Sequence, residues 1–351
     1  MWYTGSTCWQ WIEPGHVKRL GISEAMAQVN IREARKSDCG LLLQLIQESA
    51  IDRKLPRPNF DAKALEENGW GTSPSFKSLT AETEEGLLVG FVLFFYTYST
   101  WEGCSVFMED LYVTHAYRRK GIASRLWKKL VQTALDAECS RCNLVLLESN
   151  ALAITFCEKL GAVDLTKTEG WHYFRMNRDA MDAFLMTKKS IDGVEIRAAT
   201  GKDCLGIRKL IQDLADYEKM PEGPQLDVKQ LEEDSTRRPP FFKAIVAEEE
   251  DTIVGYALFF YTYTWDSCGV YMEDLYVCPS HRGRGIGMAL WKNVVQASTD
   301  VGGLWCDFSV LDWNTKSINV YKSKGAANLT QQKGYHCYRM VKDRMKTFIA
   351  E

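Results

Sequence analysis

The chain is 351 residues long, 46% hydrophobic and 25% charged, with a formal net charge of -3 at neutral pH. That length exceeds one ordinary single-core domain and suggests two, and the composition excludes a disordered or collagen-like chain. The balance supplies no basic stripe for nucleic acid, and the longest apolar runs, such as Val89 to Tyr98, fall well short of the roughly 20 residues that span a bilayer.

In chain order, residues 1–29 carry Trp2, Trp9 and Trp11 without periodicity and read as an extension. A short strand, Ile31 to Arg35, leads into an amphipathic helix capped by Ser37, with Leu42, Leu45 and Ile46 at helical spacing. Two β-rich runs follow, around Phe76 to Glu82 and Leu87 to Tyr98, then a strand ending in Leu111-Tyr112-Val113. That strand enters a glycine-containing turn and a helix from about Gly121. A further strand (Asn143 to Leu147), a helix from Asn150 and a closing aromatic strand (Trp171 to Met176) complete the set. From Glu195 the same order begins again. A strand to Ala199 precedes a helix capped by Thr200 and carrying Leu210, Ile211 and Leu214. After the matching β-rich runs come a helix from Gly285, a strand from Trp305 to Leu311, a helix from Asn314 and a closing strand from Tyr335 to Met340.

The recurrence is literal. VGFVLFFYTYSTW from Val89 returns as VGYALFFYTYTW from Val254, and MEDLYV from Met108 returns unchanged from Met272. IREARKSDC from Ile31 matches IRAATGKDC from Ile196, and Gly121, Gly161 and His172 match Gly285, Gly325 and His336. A period this long is a duplicated domain and not a solenoid. The sequence therefore divides into the extension at 1–29, a first domain at 30–190 and a second at 191–351. In each, strands alternate with helices, giving an α/β fold with helices on the faces of a mixed sheet.

The chemistry is densest in EDLYVCPSHRGRGIGMALW of the second copy. In Arg282 to Gly287, glycines stand where backbone amides at a helix N-terminus approach a pyrophosphate with no Cβ in the way, and Arg282 and Arg284 add positive charge. The first copy reads RRKGIA from Arg118 and keeps Gly121. Eleven cysteines show no framework spacing, and without a recognisable N-terminal signal this points to a reducing, cytoplasmic setting. Cys139 and Cys142 form one CxxC without a second pair or nearby histidine, so no metal site is expected.

The Arg-x-x-Gly-x-Gly turn resembles the acetyl-CoA pyrophosphate loop of the GNAT acetyltransferase superfamily, and the whole reads as two tandem GNAT-like domains, each a mixed, mostly antiparallel twisted sheet flanked by helices. Within that superfamily the chain is most similar to the spermidine/spermine (diamine) and thialysine N-acetyltransferases. The likeness rests on ADYEKM from Ala215, YTYTW from Tyr261, MEDLYV, RGRGIG and VLDWNTKSINVYKSKGA from Val310. It implies acetyl-CoA as co-substrate and direct attack by a primary amine. It assigns Glu273 as base, directly or through water, and Tyr321 as acid for the departing thiolate. Tyr217, Glu218, Trp265 and Asp274 would bind a small cationic amine. Leu275, Tyr276, Val277, Arg282, Gly283, Arg284, Gly285, Ile286, Gly287, Asn314 and Ser317, with Gly121 in the first copy, would meet the cofactor.

Departures confine this machinery to the second copy. Cys157 stands where the acidic tyrosine is expected, with a shorter reach, and Asp52 and Arg53 replace Tyr217 and Glu218. The first copy thus reads as degenerate, a non-catalytic CoA-binding or scaffolding module. Ser99 and Thr264 stand where spermidine/spermine enzymes carry an aspartate shortly before the tryptophan, closer to the thialysine pattern, with Asp266 the nearest acidic residue. Lysine-like or protein-lysine acceptors stay open as alternatives. Family members pair, so the two copies are expected to form an internal pseudo-dimer, with a further homodimer equally compatible.

Overall fold

The structure, a computed structural model, describes residues 29–351 apart from 55–57, 59, 73, 188–190 and 266. The extension proposed at 1–29 therefore lies almost wholly outside the described residues, as does Asp266. The first repeat supplies β1 (Val29–Glu33), α1 (Cys39–Asp52), α2 (Ala62–Trp70), β2 (Lys77–Thr83), β3 (Leu88–Ser99), β4 (Gly103–Val113) and α3 (Ile122–Asp136). It continues with β5 (Arg141–Leu147), α4 (Ala151–Leu160), β6 (Val163–Asp164), α5 (Leu165–Glu169), β7 (Trp171–Asn177) and α6 (Arg178–Leu185). The second repeat has β8 (Glu195–Ala198), α7 (Cys204–Tyr217), α8 (Val228–Thr236), β9 (Lys243–Glu249), β10 (Thr252–Tyr263), β11 (Cys268–Val277) and α9 (Ile286–Asp300). It ends with β12 (Trp305–Leu311), α10 (Thr315–Ser323), β13 (Ala327–Asn328), α11 (Leu329–Lys333), β14 (Tyr335–Val341) and α12 (Lys342–Ala350).

These elements form two compact units. One holds residues Tyr96–Val106 and Asp164–Cys337, the other residues 29–95, Phe107–Val163 and Tyr338–Glu351. Each contains a mixed seven-stranded sheet flanked by helices. Their strand orders are β1-β2-β3-β4-β5-β14-β6 and β13-β7-β12-β11-β10-β9-β8. The closing strand of each repeat thus sits in the other repeat's sheet. β7 pairs antiparallel with β12 along its full length, from Trp305↔Asn177 to Leu311↔Trp171. β13 borders β7 on its far side, with Ala327↔Arg175 and Asn328↔Phe174.

The core of the second repeat's unit lies between its sheet and α9, whose buried Ile286, Leu290, Trp291, Val294 and Val295 follow a helical stripe. Each such side chain contributes about 1.5–3 kcal/mol on burial. Phe184, on α6 of the first repeat, packs tilted against Trp291 of α9 with ring centroids 4.6 Å apart. The helix expected to start at Ser37 is instead secured by Asp38, whose Oδ2 accepts from the Arg35 amide at 2.7 Å. Thr200 caps its segment as expected, in a capping box in which Asp203 Oδ2 accepts from the Thr200 amide at 2.7 Å. A carboxylate three residues on reaches back more effectively than the serine hydroxyl, and each also pairs with a strand arginine, Arg32 or Arg197. Among the described residues no helix is long and apolar enough to cross a membrane.

Candidate active site

Two neighbouring strands that stop pairing set the shape of the site. β11 and β12 run parallel and pair only at Val270↔Cys306 and Tyr271↔Asp307. β12 stays bonded to β7 and β11 to β10, and among the described residues no further ladder pairing joins β11 to β12 beyond Tyr271. The end of this pairing coincides with a bulge. Leu258 pairs with Asp274 and Phe259 with Met272, leaving Glu273 as the extra residue. Bulges re-aim side chains beside functional clefts.

The branch point is firmly held. Arg175 grips Asp307 through Nε at 2.7 Å and Nη2 at 2.6 Å, and the Tyr173 hydroxyl donates to Asp307 Oδ2 at 2.5 Å, all of it buried. The Tyr271 hydroxyl bridges to Ser309 Oγ at 2.8 Å. Both Tyr173 and Arg175 come from the first repeat.

At one end of the cleft β11 leads into the glycine turn. Gly283 (φ 82) and Gly285 (φ 96) hold left-handed backbone, and Gly285 caps α9 without a side-chain acceptor. The opening amides of a 15-residue helix are thus presented bare, and nothing lies within 4 Å of where a Gly283 Cβ would stand. Such a cradle fits a pyrophosphate. Arg282 donates from Nε to the Val277 carbonyl at 2.8 Å, and its guanidinium lies over the rings of Tyr217 and Tyr276, 5.3 Å from each centroid. Arg284 turns elsewhere. It binds both oxygens of Glu249, at 3.0 and 2.6 Å, and His281 meets the same carboxylate at 2.8 Å. Of the two arginines expected to supply charge, Arg284 is therefore neutralised within the fold. Leu275, Tyr276 and Val277 lie on β11 beyond its pairing with β12, and Ile286 and Gly287 open α9.

At the other end three carboxyl groups converge. Glu218 follows α7, Glu273 sits at the bulge, and Asp274 accepts from the Tyr256 hydroxyl at 2.6 Å. Burial, then the charges of Asp274 and Glu273, push the Glu218 carboxyl up to about 8. The Tyr321 hydroxyl is raised by burial, with Cys306 and then Glu218 adding to it, so Glu218 lies within electrostatic reach of both Tyr321 and the β11 pair. The Tyr321 ring is wedged against Phe308 at 4.5 Å and Trp291 at 4.9 Å. Asn314 caps α10 by accepting from the Ser317 amide at 3.3 Å, and the Tyr217 hydroxyl reaches Asn314 Oδ1 at 3.4 Å. Trp265 is buried, within the body of the fold. One aromatic went unassigned from sequence. Trp313, 40% exposed, faces Tyr217 at 5.8 Å and carries the Lys219 ammonium over its ring at 5.1 Å. Its signal was available, a large apolar residue in a turn next to a helix cap.

The first repeat keeps the frame and changes the groups. Gly121 (φ 75) caps α3 as Gly285 caps α9. Arg118 ion-pairs with Asp52, which also accepts from the Tyr112 hydroxyl at 3.0 Å. Cys157 is buried, and that burial raises its thiol. Cys139 and Cys142 are buried too, with the Cys142 thiol pushed up to about 12 by burial alone.

The model of the acetyltransferase (GNAT) family matches residues 41–162 and 207–326. Thialysine N-epsilon-acetyltransferase of Sus scrofa is 41% identical over 164 residues, spanning 44% of this chain and 96% of that protein. Spermidine/spermine N(1)-acetyltransferase-like protein 1 of Homo sapiens is 35% identical over 164 residues, 45% of this chain and 24% of that one. A tandem GNAT protein from the clavulanic acid biosynthesis pathway shares the fold at a TM-score of 0.52 and 14% identity, over 90% of this chain and 98% of that chain.

Proposed function

Since the chain belongs to the GNAT acetyltransferase family and so transfers acetyl from acetyl-CoA to an amine, we propose that its acceptor is a small primary amine carried on a cationic chain, a polyamine or a thialysine-like diamine, and that the second repeat performs the transfer. The observation that carries this reading is Glu218, which lies within electrostatic reach of Asp274 and Glu273 on one side and of Tyr321 on the other. Glu273 and Asp274 draw an alkylammonium, joined by Glu218 where it ionises, and the aromatic faces of Tyr217 and Trp313 favour cations by about 0.5–2 kcal/mol. The names of relatives matched over one repeat, thialysine and spermidine/spermine acetyltransferases, share that acceptor chemistry.

An ammonium with a solution pKa near about 10 must lose a proton before it attacks. Glu273, aimed by the bulge, takes that proton directly or through water. The amine nitrogen bonds to the thioester carbonyl carbon, the carbon–sulfur bond breaks, and the Tyr321 hydroxyl gives its proton to the departing thiolate. A phenol whose ionisation is suppressed by burial is held in the protonated, donating form. The bare amides of Gly283 to Gly287 hold the pyrophosphate, with Arg282 beside them and Asn314 and Ser317 at the α10 end. Replacement of Tyr321 by Phe is expected to lower kcat by about 10²–10⁴-fold, the usual weight of a positioned acid, in a panel of spermidine, thialysine and a lysine-bearing peptide. Turnover at the wild-type rate would overturn the assignment, and preference for the peptide would move the acceptor class to protein lysine.

Cys157 and Arg53 favour a non-catalytic first repeat. The reciprocal exchange of β7 and β14 favours the two repeats acting as an internal pair.

A further inference from the structure

The two repeats differ most sharply at the acceptor end, and the differences are coordinated. α1 and α7 each run for 14 residues, from Cys39 and Cys204, so Arg53 follows α1 at the place Glu218 follows α7. Each is succeeded by a lysine with left-handed backbone, Lys54 (φ 56) and Lys219 (φ 63), so the local path is shared. In the second repeat Glu218 lies within electrostatic reach of Asp274, and the Tyr256 hydroxyl satisfies one oxygen of that aspartate. In the first repeat Phe91 occupies the position of Tyr256 and offers no hydroxyl. Asp110, the counterpart of Asp274, is instead met by Arg53, Nη2 to Oδ1 at 2.5 Å, with the two side chains only 5% and 1% exposed. An acidic pocket has become an acidic group already holding a cation.

We infer that Arg53 is a built-in surrogate for the acceptor's ammonium group: its guanidinium fills, in the first repeat, the position at which the second repeat receives a cationic amine, and thereby restricts acceptor binding to one site per chain. The inference rests on the acceptor class proposed above. A free diamine competing for Asp110 meets a tethered guanidinium whose effective concentration is far higher. Displacing it would strand a buried charge, which proteins avoid. The neighbouring Asp52 is engaged with Arg118 and the Tyr112 hydroxyl, so it offers the diamine no second anchor.

The test is the number of acceptors bound per full-length chain, measured by equilibrium dialysis with labelled spermidine in the presence of CoA. Wild type is expected to bind one, and Arg53→Ala two. Thermal unfolding of Arg53→Ala is expected to shift upward by several degrees with millimolar N-ethylguanidinium, a free replacement for the lost side chain, while wild type is unmoved. Should Arg53→Ala not fold, Arg53→Gln removes the charge at similar length and is expected to bind two. Two acceptors on wild type would overturn this inference and leave the proposed acceptor class standing, whereas none would overturn both. One acceptor on a folded variant, without guanidinium rescue, would also overturn it.

Discussion

Replacing Glu218 by Gln tests the acceptor pocket through a pH dependence whose sign the structure dictates. The Glu218 carboxyl is pushed up to about 8 by burial and then by the charges of Asp274 and Glu273, so with no acceptor bound it is mostly protonated at neutral pH. Only about 3% is ionised at pH 6.5 and about 90% at pH 9, by the ordinary titration relation. A desolvated carboxylate donates roughly 1.5–3 kcal/mol to a charge-assisted hydrogen bond with an ammonium, about ten- to a hundredfold in affinity. Because the folded value is raised, this contribution is present above about 8 and is lost as pH falls through it. The dissociation constant of spermidine, titrated calorimetrically with CoA present, is therefore expected to be similar for wild type and Glu218→Gln at pH 6.5. At pH 9 the variant should be weaker by about tenfold or more. Stability moves the opposite way. A carboxyl held neutral by burial destabilises the fold as pH rises from its ordinary range through about 8, so without acceptor the variant should melt higher than wild type at pH 9. A ratio of dissociation constants that stays flat from pH 6.5 to 9 would refute the reasoning, since Glu218 would then not be the group whose ionisation the acceptor senses.

Two further outcomes follow from the exchanged strands. Arg175→Met leaves Asp307 buried without its guanidinium and should cost about 3–5 kcal/mol, a fall of roughly 10 °C in the melting temperature by calorimetry. A loss within a degree or two would show that the pair contributes little. A chain carrying an engineered protease site at 188–190 and cut there should still elute as one species in native size-exclusion chromatography, because each sheet retains a strand from the other fragment. Separation into two fragments without denaturant would contradict the topology.

The duplication, the strand running into MEDLYV, the glycine turn and the carboxylates were legible because they depend on local pattern. A helix opening on a left-handed glycine, or an apolar strand ending at an acidic pair, reads the same in any tertiary setting. The exchange of β7 and β14 was not legible, and the reason is specific. WHYFRMN and YHCYRMV share one alternation, with His172 matching His336 and Arg175 matching Arg339, so either strand satisfies the hydrogen-bonding edge of β5 or β12. What distinguishes the sheets is a set of polar contacts between distant residues, among them the Tyr173 hydroxyl on Asp307, where the other closing strand carries Cys337. Arg175 meets the carboxylate of Asp307 in one, whereas Arg339 meets the amide of Asn143 at 3.1 Å in the other. The fate of Arg284 was hidden in the same way, since Glu249 lies 35 residues away on β9 and nothing in RGRGIG announces it.

The same logic explains why Arg53 carries more information in the structure than in the sequence. Read alone, an arginine replacing Glu218 repels a cation. Placed 2.5 Å from Asp110, it meets the carboxylate that corresponds to Asp274, which is the basis for inferring that it stands in for the cation. Repulsion alone would leave a pocket that one substitution reopens, but occupation ties the closure to stability, since loss of Arg53 strands a buried carboxylate at a cost of roughly 3–5 kcal/mol. A duplicated site closed in this way is protected from reverting by the fold itself.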